Sequence, residues 1–185
     1  MKKLALFLAH GTEEGEAIIQ LDLLRRAGIE VTTFSIEDTL EIETAHGIVI
    51  LAEKYLKDIV EDEYDMLFVP GGAKGVERMK SCEQLSKILI EFRAKNRYLG
   101  AVCAGPTVLG DLGILDGEIA TCANGWDKDL GKAEYKAQSV IHSQKVITGQ
   151  GLGASIELAL KTIEILEDRE TAEKVAQSIC YKFEW

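Results

Sequence analysis

The sequence predicts an α/β fold in which a mostly parallel sheet lies between helices on both faces. Short apolar runs of strand length, such as residues 4–9 and 66–69, alternate with longer segments whose apolar residues recur at helical spacing. The chain has 185 residues, of which 46% are hydrophobic, a size and composition typical of one soluble domain. We therefore expect a single domain over residues 1–185.

The N-terminal half predicts strands at 4–9, 29–35 and 66–69, with an antiparallel hairpin at 41–51. A helix follows the first strand, because acidic residues suit the positive end of a helix dipole and apolar residues then recur at helical spacing. The acidic residues are Glu13, Glu14 and Glu16, and the predicted inner face is Ala17, Ile18, Leu21 and Leu24.

The C-terminal half predicts strands at 98–102, 119–122, 139–141 and 146–148, and a helix at 154–166. Gly105 and Pro106 open a helix after the strand at 98–102, since proline suits a first helical turn. Two further apolar helix faces are Leu85, Ile88, Leu89 and Phe92, and Ala172, Val175, Ala176 and Ile179.

The charge and the apolar runs exclude several classes of protein. A net charge of −10 and scattered basic residues disfavour binding to nucleic acid. Every apolar run falls short of the roughly 18 residues of a membrane span, and the N-terminal run lacks a cleavage site. None of the four cysteines forms a C-x-x-C pair, so we expect free thiols in a cytoplasmic protein.

Three loops are expected to meet at the carboxyl ends of the parallel strands, where such sheets bind ligands. They cover residues 11–16, 70–75 and 103–106. Cys103 lies at a strand-to-helix turn, where backbone N–H groups and the helix dipole lower the pKa of a thiol. This position favours a nucleophile, although an inert structural cysteine is the alternative.

The other two loops supply groups that such a nucleophile needs. Gly71 and Gly72 allow a backbone N–H to approach a ligand closely, and with the N–H of Ala104 they could form an oxyanion hole. The three glutamates of residues 13–16 balance the helix dipole, but a carboxyl beside Cys103 would stay protonated and donate to the sulfur.

The segments AHGTEEGEA, LFVPGGAKG, GAVCAGPT and GLGASIE resemble the ThiJ/PfpI superfamily, most closely its branch around the parkinsonism-associated oxidative-stress protein. The resemblance implies a flavodoxin-like three-layer sandwich, a homodimer and a site without a cofactor or metal. It also implies that Cys103 is the nucleophile, that Glu16 is the protonated glutamate bonded to it, and that Gly72 and Ala104 are the backbone donors.

Two functions follow from that resemblance. One is a hydratase or deglycase that acts on methylglyoxal, other small α-oxoaldehydes or their early glycation adducts. The other is a redox sensor or stress chaperone in which Cys103 is oxidised to a sulfinic acid. The same N–H groups and the same glutamate serve both functions, so these residues leave the choice open.

Departures from the family pattern concern auxiliary residues. By the resemblance, the pocket histidine of that branch falls on Cys122, and its two arginines fall near His46 and near Gln150. Cys122 is either a resolving thiol for oxidised Cys103 or inert. His10 is a candidate pocket base or a loop cap, and His46 is a candidate dimer contact.

Overall fold

The computed structural model describes residues 1–182. Its helices are α1 (Glu14–Arg26), α2 (Ala73–Lys80), α3 (Glu83–Ala94), α4 (Pro106–Asp111), α5 (Ser155–Leu166) and α6 (Arg169–Ser178). Its strands are β1 (Lys3–Leu8), β2 (Glu30–Ser35), β3 (Glu41–Glu43), β4 (Val49–Leu51), β5 (Lys54–Tyr55), β6 (Met66–Val69), β7 (Tyr98–Val102), β8 (Ile119–Ala120), β9 (Glu134–Tyr135), β10 (Val140–Ser143) and β11 (Val146–Gly149).

Within residues 1–182, seven strands form the central sheet in the order β10-β11-β7-β6-β1-β2-β5. Every pairing in it is parallel except that of β10 with β11. The carboxyl ends of β1, β6 and β7 therefore open at one edge, where the three predicted loops begin.

Side chains of β1 alternate between two apolar cores, as a strand buried on both faces requires. Leu4 and Leu6 pack in the core shared with α1, α5 and α6, whereas Ala5 and Phe7 pack in the core shared with α2, α3 and α4. The sheet thus has helices on both faces, and the predicted flavodoxin-like α/β sandwich is confirmed.

Most predicted elements are confirmed, including the antiparallel hairpin formed by β3 and β4. Some details differ. Ile18 was expected on the inner face of α1 but is 44% exposed. The strand predicted at 119–122 is the shorter β8, which pairs with β9 outside the central sheet. The short helix α2 was not predicted, because only Val76 and Met79 form its main apolar stripe.

No helix within residues 1–182 is long and apolar enough to cross a membrane.

Candidate active site

The loops after β1, β6 and β7 meet as predicted. The Glu13 N–H donates to the Gly71 carbonyl at 3.0 Å, and the Gly71 N–H donates to Glu16 Oε2 at 2.9 Å. The loop after β7 also contacts the loop after β6, since a Cβ on Gly105 would lie 2.9 Å from the carbonyl oxygens of Pro70 and Val102. Glycine is required at this position because the loops touch through their backbones.

Cys103 has a left-handed backbone conformation with φ of 63°. This conformation is uncommon for a residue with a side chain, and it is held here by two backbone hydrogen bonds. The Cys103 N–H donates to the Gly149 carbonyl at 3.0 Å, and the Ala123 N–H donates to the Cys103 carbonyl at 2.9 Å. The turn therefore fixes a half-buried side chain above the end of the sheet.

Three partners surround the Cys103 sulfur. The backbone N–H groups of Gly72 and Ala104 donate to it, and the Glu16 carboxyl shares a hydrogen bond with it. Gly72 reaches this position with φ of 94°, and a Cβ there would overlap the backbone of residues 11–13. The structure thus brings together all four of the main predicted site residues.

Glu16 is buried with 1% of its surface exposed. Burial raises the pKa of its carboxyl from 4.5 to about 7, although the hydrogen bonds from Cys103 and the Gly71 N–H lower it. The charge of Glu13 contributes a further increase in this pKa. A buried carboxyl with a pKa close to neutrality can both give and accept a proton under physiological conditions.

Burial and the neighbouring Glu16 charge raise the pKa of the Cys103 thiol from 9.0 to about 12, while the N–H groups of Ala104 and Gly72 lower it. The N–H groups thus lower this pKa as expected, but burial and the charge of an ionised Glu16 outweigh them, so the expected net decrease is wrong. A protonated Glu16 removes the repulsion and donates to the sulfur instead. Only one negative charge is thus shared by the pair near neutral pH.

Gly71 has a role that differs from the one expected from the sequence, where Gly71 and Gly72 together were expected to serve an oxyanion. Its N–H holds the Glu16 carboxylate at 2.9 Å, and a Cβ on Gly71 would lie 2.6 Å from Cys103 Cβ and 3.1 Å from its Sγ. The two consecutive glycines of residues 71–72 have separate tasks, since Gly71 serves the carboxyl and Gly72 serves the sulfur. The only sequence feature that indicated two such roles was that the two glycines are consecutive.

Residues 2–165 match the model of the DJ-1/PfpI family. The chain belongs to this family. Protein DJ-1 homolog B of Arabidopsis thaliana is 33% identical over 177 residues, which make up 95% of this chain and 40% of that protein. The chain thus spans less than half the length of this plant relative.

Other DJ-1/PfpI relatives match along nearly their whole length. Glutathione-independent glyoxalase DJR-1.2 of Caenorhabditis elegans is 32% identical over 179 residues, or 96% of this chain and 95% of that protein. The solved structure of oxidized Toxoplasma gondii DJ-1 is 35% identical with a TM-score of 0.94, covering 99% of this chain and all of that one.

His10 lies at the end of β1, next to the site in this DJ-1/PfpI chain. The His10 ring Nδ1 accepts a hydrogen bond from the Glu43 backbone N–H at 3.1 Å. The backbone N–H of His10 donates to Glu37 Oε1 at 3.1 Å. These contacts hold the β3–β4 hairpin against β1. They agree with the interpretation of His10 as a loop cap. Among the described residues, these contacts do not support a role for His10 as a pocket base.

His46 lies near the tip of the β3–β4 hairpin, with 67% of its side chain exposed. Its Nδ1 is 2.9 Å from Glu14 Oε1 and 3.6 Å from Glu13 Oε2. Within the described part of the chain, these three residues are the group that could hold a cation, with ligand atoms within 4.8 Å of one another. A dimer contact through His46 stays a prediction.

Cys122 is buried in the core on the α2–α4 face of the sheet, whereas Cys103 packs against the other core. Its S–H donates to the Ala123 carbonyl at 3.5 Å. Burial and the charges of Asp127 and Asp129 raise the pKa of its thiol to about 12. These surroundings favour the inert interpretation of Cys122 over that of a resolving thiol.

Proposed function

We propose that this protein is a cofactor-free, cysteine-dependent enzyme that converts small α-oxoaldehydes such as methylglyoxal to 2-hydroxy acids. Early glycation adducts of the same aldehydes are a related substrate class. The observation that carries the proposal is the contact of one half-buried sulfur with two backbone N–H donors and a carboxyl of near-neutral pKa. The glyoxalase from Caenorhabditis elegans supports it as a relative at 32% identity.

The reaction begins when the Cys103 sulfur adds to the aldehyde carbon of methylglyoxal, giving a hemithioacetal. Glu16, in contact with the sulfur, takes the proton from that carbon and returns one to the neighbouring carbonyl carbon, through an enediol. The resulting thioester is hydrolysed by water to lactate, which frees the thiol. One carbon is oxidised and the other reduced, so the conversion needs only water.

The N–H groups that hold the sulfur contribute at two points. The N–H groups of Gly72 and Ala104 stabilise the thiolate before it attacks. Because they border the sulfur, they can also donate to the oxygen that becomes negative on the carbon bound to Sγ. Neither group moves during the reaction, because both belong to backbone fixed by the loop contacts. This rigidity is what electrostatic stabilisation of a developing charge requires.

The deciding experiment is turnover of methylglyoxal by the purified protein, with lactate as the measured product. We expect Cys103→Ala to abolish turnover and Cys122→Ala, the matched control, to leave it within about twofold of the parent. Equal turnover by the parent and Cys103→Ala would exclude Cys103 as the nucleophile. Absence of lactate with all three proteins would exclude the activity itself.

A second candidate function is redox sensing, favoured by the same donors around sulfur and by the oxidized Toxoplasma gondii relative. Two molecules of peroxide convert the Cys103 thiol to a sulfinic acid and release two molecules of water. The N–H groups of Gly72 and Ala104 would hold the sulfinate oxygens. Mass spectrometry after peroxide treatment, with turnover measured on the same sample, distinguishes a sensor from an enzyme that is merely inactivated.

We further propose a homodimer that buries part of α1 and the β3–β4 hairpin. Apolar side chains in this region are unusually exposed: Ile18 is 44%, Val49 62% and Leu51 68% exposed. Light scattering at micromolar concentration should report a dimer, and Leu51→Lys should shift it towards monomer. A parent protein that is only monomeric at this concentration contradicts the proposal.

A further inference from the structure

Glu16 is the acidic side chain whose charge acts on the Cys103 sulfur, and Glu13 and Glu14 lie in the same helix turn. Glu16 touches the sulfur, and the charge of Glu13, three residues earlier, acts on the Glu16 carboxyl. Glu14 lies between them in sequence. The side chains of Glu13 and Glu14 are only 17% and 12% exposed, so water screens their charges less than it screens those on an open surface.

The basic groups near this acidic turn do little to offset it. His46 contacts both Glu13 and Glu14 but carries a charge only when it is protonated. Lys74, in the first turn of α2, is exposed, so solvent screens its charge. Arg78, further along α2, is paired with Glu37. Together with the net charge of −10 of the chain, these glutamates favour a negative potential along the approach to the sulfur.

Neutral amides adjoin the other side of the site. Ala123 and Gly149 bind the Cys103 backbone, and the residues that follow them are Asn124 and Gln150. Gln150 Nε2 donates to Asn124 Oδ1 at 3.4 Å, which keeps the two amides together. Amides can form hydrogen bonds with a neutral carbonyl or hydroxyl group, but they offer no positive charge to a carboxylate.

We infer that the Cys103 site selects uncharged α-oxoaldehydes and rejects those that carry a carboxylate or phosphate. Glu13 and Glu14 are the specificity-determining residues, because they repel an anion that approaches the sulfur without touching a neutral substrate. The substrate class rests on the proposed function, but the charge selection at Cys103 is a property that can be measured without any turnover.

Two alkylating reagents isolate the effect of charge. Iodoacetamide and iodoacetate form the same sulfur–carbon bond with loss of iodide and differ chiefly in the neutral amide or negative carboxylate. The ratio of their rate constants at Cys103, read by mass spectrometry at pH 7.5, cancels the shared dependence on thiolate fraction. The urea-unfolded chain provides the reference ratio for the same cysteine.

We expect the folded protein to prefer iodoacetamide by about tenfold more than the unfolded chain, with the preference shrinking at about 0.5 M salt. Glu13→Gln and Glu14→Gln should each reduce the preference by about threefold. Glu91→Gln removes the same charge from an exposed position on α3, across the sheet, and should leave it unchanged. The inference is overturned if the ratio of the iodoacetamide and iodoacetate rate constants is the same in the folded and unfolded chain. It is also overturned if neither salt nor either glutamate variant changes this ratio.

Turnover extends the test to substrates. Methylglyoxal should have a kcat/KM at least about tenfold above that of 4,5-dioxopentanoate, an α-oxoaldehyde with a carboxylate, and Glu13→Gln should narrow the gap. Equal kcat/KM values contradict the substrate class. If neither compound is converted, the proposed function fails, whereas the alkylation ratio still decides whether Cys103 selects by charge.

Discussion

Cys103 and Cys122 lie close in the fold, joined through the hydrogen bond from the Ala123 N–H to the Cys103 carbonyl. Burial and nearby acidic groups raise the thiol pKa of both to about 12. At Cys103, however, the main acidic neighbour is a carboxyl that can hold the proton, and two N–H groups oppose the increase. At Cys122 the acidic neighbours are Asp127 and Asp129, and the thiol donates to a backbone carbonyl.

A raised thiol pKa therefore does not distinguish a reactive cysteine from an inert one. Cys103 and Cys122 differ in whether a neighbouring group can accept the thiol proton. Glu16 can take it and leave a thiolate that the N–H groups of Gly72 and Ala104 stabilise. Among the described residues, the Cys122 thiol donates to a backbone carbonyl and not to a carboxyl, so its ionisation would place an uncompensated charge in the core.

Removal of the proton acceptor should have the largest effect. Glu16→Gln keeps a neutral hydrogen-bond partner for the sulfur but cannot move a proton, so methylglyoxal turnover should fall by about 10²–10⁴-fold. Lactate formation at saturating substrate measures the loss. Glu91→Gln is the matched control on a distant surface. Turnover within threefold of the parent would show that Glu16 only occupies the helix terminus.

A methyl group on Gly71 should separate the Cys103–Glu16 pair while leaving Cys122 in place. A Cβ there would lie 2.6 Å from Cys103 Cβ and would overlap the Glu16 carboxyl, so one of the two side chains must shift. We expect Gly71→Ala to reduce kcat by about 10²-fold, since displacements of about 1 Å cost that much. Unchanged kcat would indicate that the pair tolerates separation.

Glu16 should reduce stability at the pH values where it supports activity. Its pKa rises from 4.5 in the unfolded chain to about 7 in the folded protein, so the folded state binds more protons between these values. Stability therefore falls as pH rises through this window. At pH 8, Glu16→Gln should be more stable than the parent by about 1–3 kcal/mol, with a smaller difference at pH 4.5.

Urea unfolding of both proteins at the two pH values measures this difference. A pH-independent difference would mean that burial does not shift the carboxyl titration in the folded protein. The activity assay on the same preparations then shows whether stability and turnover change in opposite directions.

The smallest effect is expected at Cys122. Cys122→Ala removes a fully buried thiol from the core, which should cost about 1 kcal/mol of unfolding free energy. Turnover and the alkylation rate of Cys103 should not change. A large loss of turnover or of the Cys103 alkylation rate would show that Cys122 takes part in the chemistry, so Cys122 could no longer be called inert.

The central sheet and the position of Cys103 could be predicted because both depend on local patterns, whereas the choice of Glu16 among three glutamates came from the family resemblance. Cys103 and Ala104 sit at a strand-to-helix turn, and such turns collect at the carboxyl edge of a parallel sheet. The role of Gly71 could not be predicted, because it depends on which backbone N–H faces a side chain 55 residues away. The direction of the Cys103 pKa shift depends on burial, which no motif specifies.

The surroundings of Ile18 and Cys122 likewise depend on tertiary contacts that local patterns do not specify. Ile18 fits the helical spacing of the inner face of α1, but that spacing cannot tell a core contact from an exposed apolar patch. The side chain of Cys122 lies in the opposite core from Cys103, a separation set by the path of residues 119–123 after β8 rather than by a local pattern.

The pH profile of Cys103 alkylation tests most directly whether Cys103 and Glu16 titrate as one pair. With iodoacetamide, the rate constant of the parent should rise through pH 7, reach a plateau, and rise again only towards pH 12, the two values to which the pair is shifted. Glu16→Gln should lose the step at pH 7 and show one ionisation below pH 12. A single rise near pH 9 in both proteins, the ordinary value for this thiol, would contradict the coupled titration of Cys103 and Glu16.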